Sequence, residues 1–426
     1  MKISGWSLFS KINSKKLIFN TELSWNKSLI AKGNLRSYGD SALANIHVDM
    51  LDYDSFISFD QRKGILVAQS GVLLSDIIDV VAPKGWFPYV VPGTKYITLG
   101  GAIAADIHGK NHHKEGCFSS FVESFTLVLP NNKEIICSSS ENNELFYATF
   151  GGMGLTGVIK DATLRLKKIN STYINQKTYK AMNLKEAFEV FEKVSKSSYS
   201  VAWIDCFSHG REIGRSIIMT GEFLDDGQLD FIPKKKINIP FHFPSFIMNP
   251  IFIKIFNLLY FNKHITKVSQ QKVDFDSFFF PLDSINNWNR IYGKKGFFQF
   301  QFILPKSKSF NGMKKILSSI SEAKTGSFLA VLKLYGNSNQ NLLSFPMEGY
   351  SLALDFKKSK NNIELVNNLT DYVISLGGRV YLAKDSLLTE DQFNKCYKKS
   401  KLFRDIRSQF GFNKYLNSNQ SIRLGL

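Results

Sequence analysis

Short apolar segments of strand or helix length follow one another through the first part of the chain. Where apolar and polar residues alternate, the pattern predicts a half-buried strand, and where apolar residues recur every three or four positions it predicts a helix. We therefore expect strands at 56–59, 64–68, 119–130, 134–137 and 158–166, and helices at 73–81 and from 142 to the glycines at 151–152.

The middle of the chain predicts longer alternating strands with helices between them. We expect strands at 201–207, 297–304, 329–334, 351–356 and from 379 to 385, helices at 184–195 and 363–376, and a basic, helical C-terminal end. Such a series predicts an α+β domain on a mainly antiparallel sheet. Gln299 and Gln301 share one face of their strand, while Lys333 and Asp355 lie on two others.

Residues 231–264 differ from the rest of the chain. They are crowded with Phe, Ile and Leu, interrupted by Pro240, Pro244 and Pro250, and flanked by lysines. The prolines and Lys254 exclude a membrane-spanning helix. The pattern favours an amphipathic segment in the membrane interface, with lysines facing anionic lipid. A helix packed on the protein's own core is the alternative.

Composition and charge narrow the choice of partner. The chain has 426 residues, which predicts two or three domains, and a formal net charge of +18. That charge indicates an anionic partner or simply a solvated basic surface. No recognised nucleic-acid module occurs, so we expect no nucleic-acid partner. The scattered cysteines predict reduced thiols in a cytosolic protein and no metal site; they are Cys117, Cys137, Cys206 and Cys396.

Two glycine pairs, Gly100-Gly101 and Gly151-Gly152, stand where apolar segments must turn, and the polar sequence HGKNHH (108–113) lies between them. This arrangement predicts a buried cofactor cradle. The sequence GMGLTG at 152–157 matches the GxGxxG fingerprint of nicotinamide-binding folds. However, we expect a helix before it and a strand after it, and no Asp or Glu occurs from 162 to 185. These three departures reject the nicotinamide interpretation.

A second glycine-containing segment, AKGNLRSYGDSAL, occupies residues 31–43. Exposed amides, a cation and hydroxyl groups suit a pyrophosphate. Taken by itself, the pattern is equally typical of an ordinary turn.

In combination these segments resemble a known family. The matching motifs are RSYGD (36–40), PGTKYITLGGAIAADIHGKNHH (92–113), ELFYATFGGMGLTG (144–157), WIDC (203–206), KLYGNSNQNLLSFP (333–346) and GGRVYLAKDS (377–386). On these motifs the chain is identified as a member of the decaprenylphosphoryl-β-D-ribose 2-oxidase family. That family lies within the vanillyl-alcohol-oxidase or PCMH-type FAD-linked oxidoreductases.

The resemblance implies an α+β, two-domain PCMH-type fold, with an FAD-binding domain at 1–168, a substrate-binding domain at 169–395 and a C-terminal segment at 396–426 that returns to the FAD domain. Non-covalent FAD is expected, because 31–43 lack the histidine through which many relatives tether their flavin. The implied FAD-binding residues are Lys32, Gly33, Asn34, Leu35, Arg36, Ser37, Tyr38, Gly39, Asp40, Ser41, Gly93, Thr94, Thr98, Leu99, Gly100, Gly101, Ala105, Asp106, Ile107, His108, Val158 and Tyr381.

The implied reaction moves a hydride from a secondary alcohol carbon to FAD while a base takes the hydroxyl proton. Lys384 is the expected catalytic group, either as that base or as a charged group that polarises the alcohol. Tyr38, His108 and Lys110 are secondary catalytic candidates. The sugar and phosphate pocket is expected to contain Trp203, Gln301, Lys333, Asn337 and Lys384.

The resemblance also implies a substrate and a location. The 2-hydroxyl of a polyprenyl-phosphate pentose would become a ketone, in the first half of an epimerisation for cell-envelope polysaccharide synthesis. A separate NAD(P)H-dependent keto-sugar reductase would complete it. The expected location is the cytoplasm, peripherally attached to the anionic inner face of the cell membrane. An FAD-dependent oxidase of a soluble sugar, alditol or aldonolactone is the alternative.

One position departs from the family pattern. The actinobacterial enzymes carry a cysteine in the strand at 351–356, where covalent inhibitors attach, and this chain has Ala353 there. We therefore expect such inhibitors not to react with it.

Overall fold

The computed structural model describes residues 1–19, 23–244 and 248–426. It confirms the expected α+β class. The strands are β1 (Lys2–Ser4), β2 (Lys11–Asn13), β3 (Lys15–Ile18), β4 (Ile30–Lys32), β5 (Ile46–Asp49), β6 (Phe56–Asp60), β7 (Ile65–Gln69), β8 (Trp86–Pro88), β9 (Val122–Val128), β10 (Glu134–Ser138), β11 (Val158–Lys168), β12 (Tyr173–Ala181), β13 (Tyr199–Ile204), β14 (Ser216–Phe223), β15 (Ile237–Asn238), β16 (Val268–Asp274), β17 (Ile285–Asn286), β18 (Phe297–Pro305), β19 (Ala330–Tyr335), β20 (Gly349–Lys357) and β21 (Arg379–Val380). The helices are α1 (Leu74–Val81), α2 (Leu99–Ala104), α3 (His112–Glu115), α4 (Asn143–Thr149), α5 (Leu184–Lys193), α6 (Pro250–Asn262), α7 (Phe275–Phe279), α8 (Lys306–Glu322), α9 (Lys360–Ser375), α10 (Glu390–Cys396), α11 (Ser400–Gln409), α12 (Phe412–Tyr415) and α13 (Asn419–Arg423).

A first unit, which we define as residues 15–168 with strands β3 to β11, contains an antiparallel sheet and a small parallel sheet. The antiparallel sheet has the order β10-β9-β11-β7-β6, with β8 paired to β11, and the parallel sheet has the order β3-β5-β4. Helix α1 buries Leu74, Ile77, Ile78 and Val81, the spacing of one helical face. The GMGLTG segment lies between α4 and β11, as predicted, which confirms that it is not a nicotinamide-binding turn.

A second unit, which we define as residues 173–380, is built on one long antiparallel sheet. The strand order of this sheet is β16-β12-β14-β13-β19-β20-β18-β21. Helices α5, α8 and α9 pack against its strands. Because side chains alternate along a strand, Gln301, Lys333 and Ala353 share a face, and Gln301 pairs directly with Ala353. This face lines the cleft described below.

The C-terminal helices contact the first unit. Leu416 forms a bridge with Leu29, and the Arg407 Nε donates to the Leu155 carbonyl at 3.3 Å. Contact begins before residue 396, because the Tyr38 amide donates to the Ala383 carbonyl at 3.0 Å. The turn that carries Lys384 is therefore held by the first unit.

Two predicted strands are much shorter in the structure, and the strand expected at 201–207 ends at Ile204. The strand expected at 119–130 begins only at Val122, after a 3-10 turn at Phe118–Phe121. The strand expected to reach Asp385 ends at Val380, because the amides of Lys384 and Asp385 both donate to the Tyr381 carbonyl at 3.0 Å and close a turn. Lys384 thus projects from a turn rather than a strand.

The C-terminal part of the apolar 231–264 segment forms helix α6, and residues 245–247 lie outside the described part. Pro250 is the first residue of the helix, where its missing N–H costs no hydrogen bond, and Asn249 caps it by accepting from Ile251 N at 2.9 Å. In the described ranges no helix is both long enough and apolar enough to cross a bilayer.

Candidate active site

A cleft of about 700 Å³ lies between the two units. Loops 33–38 and 91–98, the start of α2, strands β13 and β18–β20, and the turn after β21 form its walls. The predicted site residues that line it are Gly33, Asn34, Leu35, Arg36, Ser37, Tyr38, Ser41, Gly93, Thr94, Thr98, Gly100, Gly101, Ala105, Ile107, His108, Lys110, Trp203, Gln301, Lys333, Tyr381 and Lys384.

Two glycine-containing loops of the first unit form one wall. Thr98 caps α2, and its Oγ1 accepts from the Gly101 amide at 3.1 Å. A Cβ at Gly33 would lie 2.3 Å from the same Oγ1, so the close approach of the loops requires glycine there. A Cβ at Gly93 would meet no atom within 4 Å among the described residues, and Gly93 lines the cleft. An extended ligand can therefore lie directly on this backbone.

Arg36 provides a cation on the same wall. Its guanidinium lies 4.1 Å from the ring centroid of Trp6 and 5.5 Å from that of Tyr96. Burial lowers the pKa of Arg36, and Asp283 opposes the shift. The buried Nε has no hydrogen-bond partner among the described residues. A buried donor of this kind calls for an anionic or polar ligand.

Several predicted cofactor-binding residues shape the loops without lining the cleft. Lys32 forms an ion pair with Asp49 at 2.9 Å, and Asp40 pairs with Arg423 at 2.7 Å. A Cβ at Gly39 would lie 1.7 Å from the Asp385 carbonyl oxygen, so this loop packs directly on the Lys384 turn. Two others are fully buried in the core, namely Leu99 and Val158.

Asp106 was expected to bind FAD and Asn337 to line the substrate pocket, but neither residue lines the cleft. Asp106 is fully buried, and its Oδ2 accepts hydrogen bonds from Asn341 at 2.8 Å and Ser344 at 2.6 Å. It joins the two units instead of facing the cleft. Asn337 is exposed and lies outside the cleft lining, because the chain turns away after β19, where the Gly336 amide donates to His112 Nδ1 at 3.2 Å.

Lys384 reaches the cleft from the turn after β21. Its Nζ lies 3.5 Å from the ring centroid of Tyr38. Burial lowers the pKa of Lys384 to about 7, an effect that Asp355 opposes and Lys333 increases. A substantial neutral fraction at neutral pH suits a proton acceptor. Burial also raises the pKa of Tyr38 well above its usual range, so that its hydroxyl stays protonated.

His108 is a neutral, oriented imidazole. Its Nε2 lies 3.1 Å from the Gln301 side-chain nitrogen, which acts as the donor, and its buried Nδ1 has no partner in the described part of the chain. Burial, with the charge of Lys333 adding to it, holds the pKa of His108 well below its usual range. The rings of Tyr335 and Tyr381 pack against it.

Lys110 and Lys333 add two further amines. Lys110 Nζ donates to the Phe278 carbonyl, and burial lowers the pKa of this lysine to about 7. Burial lowers the pKa of Lys333 to about 8. With Lys384, these residues place amino groups around a partly apolar cleft, where an anionic group would favour their charged forms.

Sequence reasoning missed part of this network. Gln299 lines the cleft and donates to Asp355 Oδ1 at 2.6 Å, while the Tyr292 hydroxyl donates to Asp355 Oδ2 at 3.1 Å. Burial raises the pKa of Asp355 to about 6. The shared strand face of Gln299 and Gln301 was the available signal. Trp6, Asp283, Phe256 and Tyr260 also line the cleft. Phe256 and Tyr260 lie in the apolar 231–264 segment, which was expected to contact the membrane or the protein core rather than the site.

No set of three His, Cys, Asp or Glu side chains suited to a metal ion occurs within residues 1–19, 23–244 and 248–426. The four cysteines are free and buried. Ala353 lines the cleft where the family cysteine was expected, and the predicted resistance to cysteine-directed inhibitors stays a prediction.

Comparison with known proteins identifies the family. Residues 24–138 match the model of an FAD binding domain. Decaprenylphosphoryl-beta-D-ribose oxidase of Mycolicibacterium smegmatis is 33% identical over 385 residues, which cover 87% of this chain and 83% of that protein. The chain belongs to the decaprenylphosphoryl-β-D-ribose oxidase family. As a member of this family it is an FAD-linked oxidoreductase, and its cofactor is FAD.

Two other relatives are less similar to this chain. A Streptomyces coelicolor protein, uncharacterised, is 23% identical over 370 residues, which cover 83% of this chain and all of that protein (100%). D-lactate dehydrogenase of Anaerostipes hadrus is 26% identical over 126 residues, 28% of this chain and 26% of that protein.

The cleft residues fit FAD. The matched range contains both glycine loops, so the backbone at Gly33 and Gly93 is placed to hold the dinucleotide. Arg36 Nε, which has no hydrogen-bond partner in the described part of the chain, suits the pyrophosphate of FAD, and His108 Nδ1, likewise without a partner there, offers a buried polar contact.

Proposed function

We propose that this oxidoreductase oxidises the 2-hydroxyl of a polyprenyl-phosphate pentose to a ketone. The observation that carries the proposal is the set of three cleft lysines, Lys110, Lys333 and Lys384, beside the FAD-binding loops. Positively charged amines suit a phosphodiester, and one neutral amine suits proton removal from a hydroxyl. The name of the Mycolicibacterium smegmatis relative supports the same substrate class.

The three lysines divide two tasks between them in this proposal. Lys384 takes the hydroxyl proton, while Lys333 and Lys110 bind the phosphodiester. FAD, when bound, supplies the chemistry that accepts the hydride from the carbon, so that the alcohol becomes a ketone. Gln301 and Trp203 contact the bound substrate, and the aromatic rings around His108 exclude water from the reacting centre.

Anaerobic flavin bleaching tests the function. A polyprenyl-phosphoryl ribose should bleach the flavin, and free ribose, alditols and aldonolactones should not. Bleaching by the soluble compounds alone would replace the proposal with the soluble-sugar oxidase.

A peripheral site at the inner face of the membrane follows from the proposed lipid substrate. Large apolar side chains of α6 are strongly exposed, and the lysines at 234–236 precede the helix in the chain. We propose that they contact an anionic leaflet. Co-sedimentation with anionic vesicles but not with neutral vesicles would support this location. Failure to co-sediment with either kind of vesicle would exclude it.

We also propose that a separate NAD(P)H-dependent reductase reduces the ketone and completes the epimerisation.

The flavin should be released when the protein is denatured. Arg36 stands in the loop where many relatives carry a tethering histidine, and residues 31–43 contain neither His nor Cys. Acid precipitation should therefore leave the yellow FAD in the supernatant, as measured by its absorbance. Flavin that stays with the precipitated protein would show a covalent bond formed elsewhere.

Replacing Asp355 by asparagine should shift the pH dependence of flavin reduction. The Asp355 carboxylate raises the pKa of Lys384, so its removal lowers that pKa below about 7. The limb of the pH profile on which the rate of flavin reduction rises with pH should move to lower pH by roughly one unit. A shift of that size matches the effect of one nearby charge on a pKa. Tyr38, Lys333 and His108 also face Lys384 and remain unchanged.

Single-turnover reduction followed from pH 5 to 9, on either side of the limb at about pH 7, measures this shift. The matched control is Asp355→Glu, which keeps the charge and should keep the limb in place. An ascending limb at the same pH in the asparagine variant would show that Lys384 does not act as a base.

A further inference from the structure

Helix α6 is anchored to the second unit along one face. Ile253, Asn257 and Phe261, spaced four residues apart, are buried. The Asn257 Nδ2 donates to Asp205 Oδ1 at 2.7 Å, and Asp205 forms an ion pair with Arg215 at 2.8 Å. The helix therefore has a defined position on the sheet.

A second face of the helix lines the cleft. Phe256 and Tyr260 stack with ring centroids 6.1 Å apart, and both belong to the cleft lining. Tyr260 lies 4.8 Å from Trp203, and Phe256 lies 5.7 Å from Phe328. The Trp203 Nε1 donates to the Phe328 carbonyl at 2.9 Å, which holds the facing pair together. Aromatic rings thus form this end of the cleft.

Phe256 also reaches the outside. It is 47% exposed while it lines the cleft. Its neighbours on the outer face are large, apolar and exposed: Ile251, Phe252, Ile255, Leu258 and Leu259. A contiguous group of large apolar side chains exposed to solvent marks an interaction site. It is continuous with the aromatic end of the cleft through Phe256.

The cleft lining contains the amines of Lys333 and Lys384 and, separately, the group of rings formed by Phe256, Tyr260, Trp203 and Phe328. Through Phe256 this ring group adjoins the exposed aliphatic side chains of α6. A sugar, a phosphodiester and a hydrocarbon chain follow one another in a polyprenyl-phosphate sugar. We infer that the first isoprene units of the lipid leave the cleft between Phe256 and Tyr260 on one side and Trp203 and Phe328 on the other. This inference rests on the proposed function.

Substrate analogues with one and three isoprene units on the phosphoryl ribose test the path. They are used in solution without vesicles, and the concentration dependence of anaerobic flavin reduction gives an apparent Kd. For the wild type, Kd should fall by at least about tenfold from one to three units, since each buried methylene contributes roughly fourfold. In Phe256→Ser, this gain should shrink to a few-fold, while Phe256→Leu should restore most of it.

Phe310→Ser is the matched control, because Phe310 is 37% exposed on α8 and does not line the cleft. It should keep the wild-type chain-length dependence. An equal gain in wild type and Phe256→Ser, or no gain in the wild type, would overturn the path while bleaching still supports the function. If no analogue bleaches the flavin, the proposed function fails and the path with it.

Discussion

Replacing Lys384 by methionine should give a yellow protein whose flavin is no longer bleached by substrate. The Nζ of Lys384 is lost from its place above the Tyr38 ring, and with it the group proposed to take the hydroxyl proton. Loss of a positioned general base lowers rates by about 10²–10⁴-fold. Stopped-flow flavin reduction at saturating substrate measures the loss.

The turn should survive the Lys384 substitution, because its backbone and neighbours hold it. Asp385 pairs with Arg423 at 3.0 Å, and the Lys384 amide donates to the Tyr381 carbonyl. Lys110→Met is the informative comparison, since it should weaken substrate binding more than it slows the saturated rate. A colourless Lys384 variant would place this lysine in cofactor binding, and a near-normal bleaching rate would remove it from the reaction.

Replacing Gly93 by leucine should give a folded protein that does not hold FAD. A Cβ at this position meets no atom of the described residues within 4 Å, and Gly93 is not among the glycines with positive φ, so a side chain fits the backbone. It would extend into the cleft that Thr94 and Gly100 also line, where the cofactor is expected. The ratio of flavin to protein absorbance after purification measures the loss.

Gly93→Ala is the graded control, because one methyl group should reduce FAD affinity less than an isobutyl group. The thermal unfolding midpoint of the leucine variant should match that of wild-type protein stripped of FAD. A leucine variant with a full complement of FAD would show that the cofactor does not lie against this loop.

The glycine loops and the Lys384 turn could be located from the sequence because their motifs are local. Which side chains of a loop face the ligand is decided by distant pairings. Lys32 turns to Asp49 because β4 and β5 pair in parallel, and Asp40 turns to Arg423 from the far end of the chain. Neither partner can be read from the loop's own residues.

The pairing of Gln299 with Asp355 in the second unit could not be predicted from local sequence either. Alternation along β18 placed Gln299 on the face of Gln301, but the register that sets Gln299 opposite Asp355 joins strands more than fifty residues apart. The resemblance of the motif at 333–346 placed Asn337 in the pocket, and the chain turns away at Gly336, whose amide donates to His112 Nδ1. Long-range contacts of this kind are not encoded in local periodicity.

A deuterium isotope effect tests the central claim most directly. Polyprenyl-phosphoryl ribose labelled with deuterium at carbon 2 should reduce the flavin more slowly than unlabelled substrate in single-turnover experiments. Label at carbon 3 should leave the rate unchanged. A rate unaffected by the carbon 2 label, or slowed by the carbon 3 label alone, would contradict oxidation at the 2-hydroxyl.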